Sequence, residues 1–245
     1  MKFSLMTYSL VSKMRSGEMK LEDVIAFAEN EGFDAIELLM FDFSRPTGEI
    51  KTMLENHQMK ISCINAFVDL AVQQEDTHSD NIALCQQIID KAVELSAPMV
   101  MLVPAIPQFI ASEEDKQKGL PRIISALQKI TPYAESKGVV LTIENYPALQ
   151  TPFCSVAEVT NILDQVPGLK LTFDYGNMLV AGEDPLKAYE MLKKIHGECP
   201  FKRLAVRNRG NGDPVCRWEI FKISGSWPRG NGLFVAIYQN GIRWL

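Results

Sequence analysis

The chain lacks the features that mark nucleic-acid-binding and membrane-spanning proteins. Its 245 residues carry a net charge of −5, and no cluster of Lys and Arg is interleaved with aromatic residues. Phosphate binding needs a basic surface, so we expect no nucleic-acid partner. No apolar run reaches about 18 residues, the length that a membrane-spanning helix requires, so we expect no membrane span.

The sequence also lacks paired cysteines and a secretion signal. Its five cysteines are widely spaced, with no CxxC pair, and an odd number in a chain of this size favours reduced thiols. The first residues, MKFSLMTYSLV, are interrupted by Ser and Thr and lead to no small-residue cleavage site. They predict a first strand rather than a signal peptide. We therefore expect a cytoplasmic protein.

What the sequence does contain is a regular alternation of short β-rich apolar runs with longer amphipathic stretches. The predicted strands are Phe3–Tyr8, Ala35–Leu39, Ile61–Ala66, Met99–Val103, Val139–Glu144 and Leu169–Asp174. The predicted helices lie near 19–31, 47–57, 79–96, 114–136, 155–165 and 184–195. Six successive βα units predict a parallel sheet with crossover helices.

Two parallel architectures fit this alternation, and the first turn favours one of them. A doubly wound sheet usually has a glycine-rich turn after its first strand. Here Tyr8-Ser9-Leu10 follows that strand and no GxGxxG is present. The pattern therefore favours an α/β fold of the TIM-type (β/α)8 barrel, which typically takes about 250 residues. The doubly wound sheet remains the alternative.

The barrel pattern stops after His196, two strands short of eight. Residues 196–245 have no clear period of 2 or 3.6 and hold seven of the fifteen glycines. We therefore predict an incomplete barrel of about six βα units over residues 1–195 and an irregular tail over residues 196–245. In such a remnant the edges of the first and sixth strands would be unpaired.

Two acidic residues end neighbouring predicted strands. The fifth strand ends on Glu144 and the sixth on Asp174. Catalytic residues of parallel barrels lie at the carboxyl ends of strands, where these two carboxylates would point at one spot. Like charges that close repel one another unless a cation lies between them, so the pattern predicts a divalent metal site. The alternative is a pair of solvated acids at strand ends.

Three segments resemble one enzyme superfamily. GFDAIEL, LTIENY and LTFDYGN, taken in order, are similar to motifs of the sugar phosphate isomerase/epimerase superfamily, the xylose isomerase-like barrels. The resemblance covers roughly residues 1–195. It implies one metal held by Glu, Asp, His and Glu from strands five to eight, of which Glu144 and Asp174 match the first two. The metal would be Mn, Mg or Zn.

The resemblance also implies an activity. Family isomerases use glutamates as acid–base groups beside a metal-polarised carbonyl, and Glu144 would fill the first of these roles. We expect an isomerase or epimerase of a small sugar, sugar phosphate or keto-polyol that reacts through an enediolate. An oligomer is compatible with the sequence. The alternatives are an inosose-type dehydratase, which is a lyase of the same family, and an inactive barrel remnant.

Five further residues lie at or just past predicted strand ends, where sugar hydroxyls could bind. These candidate substrate-binding residues are Tyr8, Glu37, Asn65, Asn145 and Asn177. For Tyr8 and Glu37, packing or a surface ion pair is the alternative. Asn177 stands where several relatives have His, and the three-zinc endonucleases of the family need such histidines. The asparagines and the acidic chain disfavour that nuclease class.

The tail itself can be explained by a shifted reading frame. Cys199–Leu204 followed by Ala205 can be encoded TGT CCA TTT AAA AGA CTG GC. One nucleotide downstream this reads Val-His-Leu-Lys-Asp-Trp, the His-containing segment that the resemblance requires at strand seven. Three later stretches give family-like segments in the same register. We predict a frameshifted C-terminus and impaired activity of this chain; a divergent extension with its own role is the alternative.

Overall fold

A computed structural model of the protein describes residues 2–196, 201–206 and 234–239, with side chains for residues 3–196. Eight parallel strands, each paired with the next in chain order, form a closed barrel in which β8 also pairs with β1. The strands are β1 Lys2–Met6, β2 Ala35–Leu39, β3 Ile61–Phe67, β4 Met99–Val103, β5 Val140–Glu144, β6 Lys170–Asp174, β7 Phe201–Val206 and β8 Phe234–Gln239.

Helices follow the strands and cover the outside of the barrel. They are α1 Val11–Arg15, α2 Leu21–Asn30, α3 Thr47–Asn56, α4 Glu75–Glu94, α5 Glu113–Ser136, α6 Val156–Gln165, α7 Tyr175–Val180 and α8 Pro185–His196. Short 3₁₀ helices at Thr7–Leu10, Met40–Ser44 and Pro107–Phe109 follow β1, β2 and β4. The main core lies between strands and helices, where outward strand residues meet the apolar helix faces.

Local sequence explains where these helices begin and end. In α6 the Ser155 side chain accepts a hydrogen bond from the Glu158 amide, and the Glu158 carboxylate accepts one from the Ser155 amide. This capping box satisfies amides that the first helical turn leaves unpaired. Gly138 and Gly168 precede β5 and β6 with φ of 71° and 86°, left-handed values that favour glycine.

Pairs of hydroxyl side chains lie inside the barrel. The Thr142 and Thr172 hydroxyls, from β5 and β6, are 2.7 Å apart, and all side-chain surface of both residues is buried. The Ser4 and Ser62 hydroxyls are 2.6 Å apart although β1 and β3 are not neighbours, so this contact crosses the concave interior. These contacts identify which face of each strand points inward.

A β-bulge changes that alternation on β3. Ile36 pairs with Ile61, but Glu37 pairs with Cys63, so the register gives Ser62 no paired residue on β2. Residues three apart on a regular strand point to opposite faces. The extra residue instead allows both Ser62 and Asn65 to face the interior, as bulges near functional sites often do.

The barrel and its six predicted βα units are confirmed, but the pairing at the edges differs from the expectation of an open sheet. Phe201–Val206 pairs with β6, and Phe234–Gln239 pairs with both β7 and β1. The expectation of unpaired edges on β1 and β6 is therefore wrong. The runs FKRLAV and FVAIYQ are short β-formers whose signal is obscured by the surrounding Gly, Pro and Arg residues.

Most of the predicted tail lies outside the described residues. These are residues 197–200, 207–233 and 240–245. The division into residues 1–195 and 196–245, and the frameshift, therefore stay predictions. Within the described parts of the chain, no helix has the length and hydropathy needed to cross a membrane.

Candidate active site

Glu144 and Asp174 end the adjacent strands β5 and β6 and both point into the barrel. The two residues lie two positions beyond Thr142 and Thr172, whose hydroxyls meet inside, so they share the inward face. Their residues are only 3% and 4% exposed. The register pairs Glu144 with Thr172, so Asp174 extends two residues further toward the mouth.

Asn145 fastens the ends of these two strands together. Its side-chain nitrogen donates to the Asp174 carbonyl at 2.8 Å, and its side-chain oxygen accepts from the Asp174 amide at 2.7 Å. The Asn177 side chain in turn donates to the Asn145 carbonyl at 2.8 Å, and the Asn177 amide donates to Asp174 Oδ1 at 2.8 Å. This closed set of bonds fixes both the backbone and the carboxylate of Asp174.

The chemistry of this edge fits part of a divalent-metal site. Two buried carboxylates on neighbouring strand ends are hard oxygen donors of the kind that Mg²⁺ and Mn²⁺ prefer. The described residues contain no cluster of three or more His, Cys, Asp and Glu side chains able to hold a metal ion. Glu144 and Asp174 can supply two such ligands.

Tyr146 is a site residue that the sequence analysis did not select. Burial raises the pKa of its phenol, and the nearby charges of Glu144 and Tyr8 raise it further. The Tyr146 ring packs 6.3 Å from that of Phe153, and the Tyr146 amide donates to the Phe153 carbonyl. A phenol held protonated beside Glu144 can donate a hydrogen bond or a proton. Its place two residues after Glu144 was the signal available in the sequence.

Glu37 and Asn65 form a second polar pair inside the barrel. Both residues are fully buried, and the Asn65 side chain donates to Glu37 Oε2 at 3.0 Å and to the Leu38 carbonyl at 3.4 Å. Leu39 and Phe67, two positions beyond them, line a cavity at the barrel mouth. The pair therefore lies just below that cavity, on the β2–β3 side.

This mouth cavity has a volume of about 340 Å³ and is mostly apolar. It is lined by Tyr8, Val11, Met14, Arg15, Leu39, Phe41, Asp42 and Phe67. The Asp42 carboxylate accepts hydrogen bonds from the Thr7 hydroxyl and the Leu39 amide, both at 2.8 Å, and burial raises its pKa. Arg15 is exposed, and none of the described residues forms an ion pair or hydrogen bond with its guanidinium.

The structure brings most of the sequence-predicted residues together, in two groups. Glu144, Asp174, Asn145 and Asn177 meet at the β5–β6 side, and Glu37 and Asn65 meet at the β2–β3 side. Tyr8 lies in the 3₁₀ helix after β1 rather than in the strand itself, and it lines the mouth cavity. Because both polar atoms of the Asn145 side chain bond to Asp174, we interpret Asn145 as a positioning residue.

Several solved structures share this fold. The probable 3-DHS dehydratase AsbF of Bacillus anthracis is 18% identical with a TM-score of 0.69, covering 99% of this chain and 94% of its own. The IOLI protein with a bound zinc atom is 15% identical with a TM-score of 0.74, over 97% and 88%. The D-psicose 3-epimerase of Clostridium cellulolyticum H10 with D-tagatose is 14% identical with a TM-score of 0.74, over 97% and 85%.

Identities this low establish the fold alone. Comparison with curated protein sequences gives no match. The family model described as "Xylose isomerase-like TIM barrel" matches residues 25–202, which is well over half of the sequence. It spans β2 through β6 with their helices, and so includes Glu37, Glu144 and Asp174. The chain therefore belongs to the xylose isomerase-like TIM barrel family.

Proposed function

We propose that this protein is built to isomerise or epimerise a small sugar, sugar phosphate or keto-polyol by moving a proton next to a carbonyl. The observation that carries the proposal is the pair Glu144 and Asp174, both buried and inward-facing at the ends of adjacent strands. Family membership supports it, since the solved structures of this fold include sugar epimerases.

Glu144 is the proposed acid–base group. Its carboxylate takes the proton from the carbon next to the substrate carbonyl. In isomerisation it returns that proton to the former carbonyl carbon, whereas in epimerisation a second acid on the opposite face returns a proton to the same carbon. Tyr146, kept protonated by burial, can donate a hydrogen bond as charge develops on the substrate oxygen. A divalent cation bound by Glu144 and Asp174 would stabilise the negative charge of the enediolate.

The rest of the site holds and shields these groups. Asn145 and Asn177 fix Asp174 through backbone bonds, so its carboxylate is oriented before any ligand arrives. The mouth cavity beside Glu37 and Asn65 offers an apolar wall for the carbon face of a substrate. Tyr8 and Asn177 stay candidate contacts for its hydroxyl groups.

Deuterium exchange tests this proposal directly. The protein is incubated in D₂O with MnCl₂ and D-fructose, D-tagatose or D-psicose, and NMR follows deuterium entering the carbon next to the carbonyl. We expect exchange that requires the metal and falls at least about 100-fold in Asp174→Asn, because a carboxylate that would bind the metal directly is lost. Asp80→Asn, on an exposed turn of α4, is the matched control.

The level of exchange depends on the tail. We propose that residues after His196 are read in a shifted frame. Four stretches of the tail support this, because their shifted codons give family-like segments in one register, the first being Val-His-Leu-Lys-Asp-Trp from Cys199–Leu204 followed by Ala205. Sequencing codons 190–205 decides it. A frame-corrected protein should exchange faster than this chain. If neither protein exchanges deuterium into any of the three ketoses, the proposed function is wrong.

A dehydratase is the second candidate, and Tyr146 is the observation that favours it. In that reaction Glu144 removes the proton next to the carbonyl, and the hydroxyl on the following carbon leaves as water with a proton from Tyr146. Because burial raises the pKa of the Tyr146 phenol, the phenol stays protonated and has a proton to give. The same NMR experiment separates the two, since dehydration gives an unsaturated ketone instead of an isomeric sugar.

A further inference from the structure

We propose that a second cavity, between the β3–α4 and β4–α5 loops, binds the non-reacting sugar unit of a glycoside or disaccharide substrate. We call it the outer cavity; Phe67, Asp69, Thr77, Asn81, Phe109 and Asp115 are among its walls. The proposal rests on the function proposed above, because the reacting unit is assigned to the barrel mouth. It extends that function from single sugars to larger, uncharged ones.

The size of the outer cavity favours a real ligand site. Its volume is about 550 Å³, against about 340 Å³ for the mouth cavity. Small-molecule sites usually enclose about 300–1,000 Å³. The outer cavity is therefore the larger of the two, and a ligand that fills only the mouth cavity leaves it empty.

The side chains around the outer cavity suit a carbohydrate. Phe67 and Phe109 place aromatic rings at its walls, and the Phe109 residue is 64% exposed. An aromatic ring offers an apolar face to the C–H face of a sugar ring. Asp69, Asn81 and Asp115 supply carboxylate and amide oxygens, which accept hydrogen bonds from sugar hydroxyls.

The charge of these walls excludes an anion. Two carboxylates line the outer cavity, and no Lys or Arg is among its described lining residues. A phosphate or carboxylate would lie beside like charges, which is unfavourable. Burial raises the pKa of Asp69, so its carboxylate is poorly hydrated and gains from hydroxyl donors. The ligand is therefore a neutral polyhydroxylated group.

The wall of the outer cavity is held in place without a ligand. The Asn81 side chain donates to the Asp69 carbonyl at 2.7 Å, and Arg122 Nε donates to the Val72 carbonyl at 2.5 Å. Gly119 in α5 allows the loop to approach closely, since an added Cβ would lie 2.9 Å from Ala71 Cβ. A preformed wall avoids the entropy cost of ordering a loop when a ligand binds.

Phe67 connects the two cavities. Its ring lines both the mouth cavity and the outer cavity. A ligand whose reacting ketose lies in the barrel mouth can therefore extend across Phe67 into the outer cavity. The two sugar units of one molecule would then bind together, which raises affinity above that of either unit alone.

The experiment measures binding rather than turnover. Calorimetry compares D-fructose with isomaltulose, a disaccharide with a reducing fructose unit, and D-glucose with maltose. Four variants are used in the full chain. Thr77→Trp fills the outer cavity and Asp80→Trp is its exposed control on α4; Phe109→Ala removes a wall and Leu149→Ala is its control, at 63% exposure against 64%.

We expect at least one disaccharide to bind about tenfold tighter than its monosaccharide. Thr77→Trp and Phe109→Ala should remove that advantage, while Asp80→Trp and Leu149→Ala keep it and monosaccharide binding stays unchanged in all four. Equal affinities for the disaccharides and their monosaccharides, or equal losses in Thr77→Trp and Asp80→Trp, would overturn the proposal. Circular dichroism checks that each variant is folded.

The deuterium-exchange experiment keeps this inference separate from the proposed function. Tighter disaccharide binding that depends on Thr77 and Phe109, without deuterium exchange in either this chain or the frame-corrected protein, supports the subsite and contradicts the isomerase proposal. Deuterium exchange with D-fructose, without a preference for the disaccharide, supports the isomerase and contradicts the subsite.

Discussion

At the β5–β6 side of the barrel mouth, the polar side chains are bonded to one another, whereas the β1–β3 side encloses a largely apolar cavity. Asn145, Asp174 and Asn177 are joined by four hydrogen bonds of 2.7 to 2.8 Å. On the other side, Leu39, Phe41 and Phe67 line open space. The barrel thus holds the Asp174 carboxylate by hydrogen bonds on one side and leaves room for a ligand on the other.

Under the proposed function, this difference assigns the proton transfer and the binding of the substrate to different strands. Preorganised groups act best where charge changes during a reaction, because they need not rearrange. Recognition needs volume and apolar surface instead. We therefore expect variants on the β5–β6 side to lose turnover or stability, and variants on the β1–β3 side to lose ligand binding. The same loss on both sides would contradict this difference.

The largest expected effect is from Glu144→Gln, which removes the proposed acid–base group but keeps its size. We expect kcat to fall about 10²–10⁴-fold with KM little changed, as for a group that acts in proton transfer. Phe41→Ala, on the exposed wall of the mouth cavity, should mainly raise KM. Steady-state kinetics with the best ketose measures both. A rise in KM alone for Glu144→Gln would contradict the assignment.

Next in size is the effect of Asn145→Ala on stability. The change leaves the buried amide and carbonyl of Asp174 without the Asn145 side chain, so we expect the free energy of unfolding to fall by about 2–4 kcal/mol. Urea denaturation measures it. Asn161→Ala, at an exposed position of α6, should change the free energy by less than about 0.5 kcal/mol. Equal losses of free energy in the two variants would mean that the hydrogen bonds of Asn145 stabilise the fold no more than an exposed side chain does.

Gly119→Val tests whether the wall of the outer cavity is held by close packing. A Cβ there would approach Ala71 Cβ to 2.9 Å, so the loop or α5 has to shift, and we expect a loss of about 1–3 kcal/mol. Gly48→Ala in α3, where nothing lies within 4 Å of the added Cβ, should leave stability unchanged or slightly higher. Thermal and urea unfolding compare the two. A neutral Gly119→Val would show that the loop yields easily.

The smallest effect concerns Asp42 and pH. Burial raises its pKa above that of the unfolded chain, so the folded protein keeps the proton over a pH range in which the unfolded chain has lost it. The free energy of unfolding therefore falls as pH rises from about 4, the unfolded-state pKa, through the folded-state pKa. Asp42→Asn should remove that slope in urea titrations at several pH values. An unchanged slope would mean that Asp42 is well hydrated.

Much of the fold could be predicted because local sequence patterns determine most of its strands and helices. The bounds of β2 and β4 match the prediction, since both strands are short apolar runs buried throughout. The first strand was predicted too long, because Thr7 and Tyr8 are residues that favour strands, whereas Thr7–Leu10 forms a 3₁₀ helix. β7 and β8 were missed, since six residues flanked by Gly and Arg carry too little signal.

The site was predictable only in part, for a different reason. Glu144 and Asp174 could be identified because each ends a strand, a property of local sequence. The bond between Asn145 and the Asp174 backbone depends on the register of β5 against β6. The contact of Glu37 with Asn65 depends on the bulge at Ser62. Register and bulges arise from pairing between distant segments, which a single sequence does not display.

The seam between β1 and β8 has a consequence for how the protein is made. It pairs Lys2 with Phe234, so it closes a loop on the order of 230 residues, which carries a large entropy cost. During synthesis β1 is made long before β8, so one edge of β1 stays unpaired and is exposed to other nascent chains. Folding speed and yield of this protein should therefore depend on the final strand more than on any other.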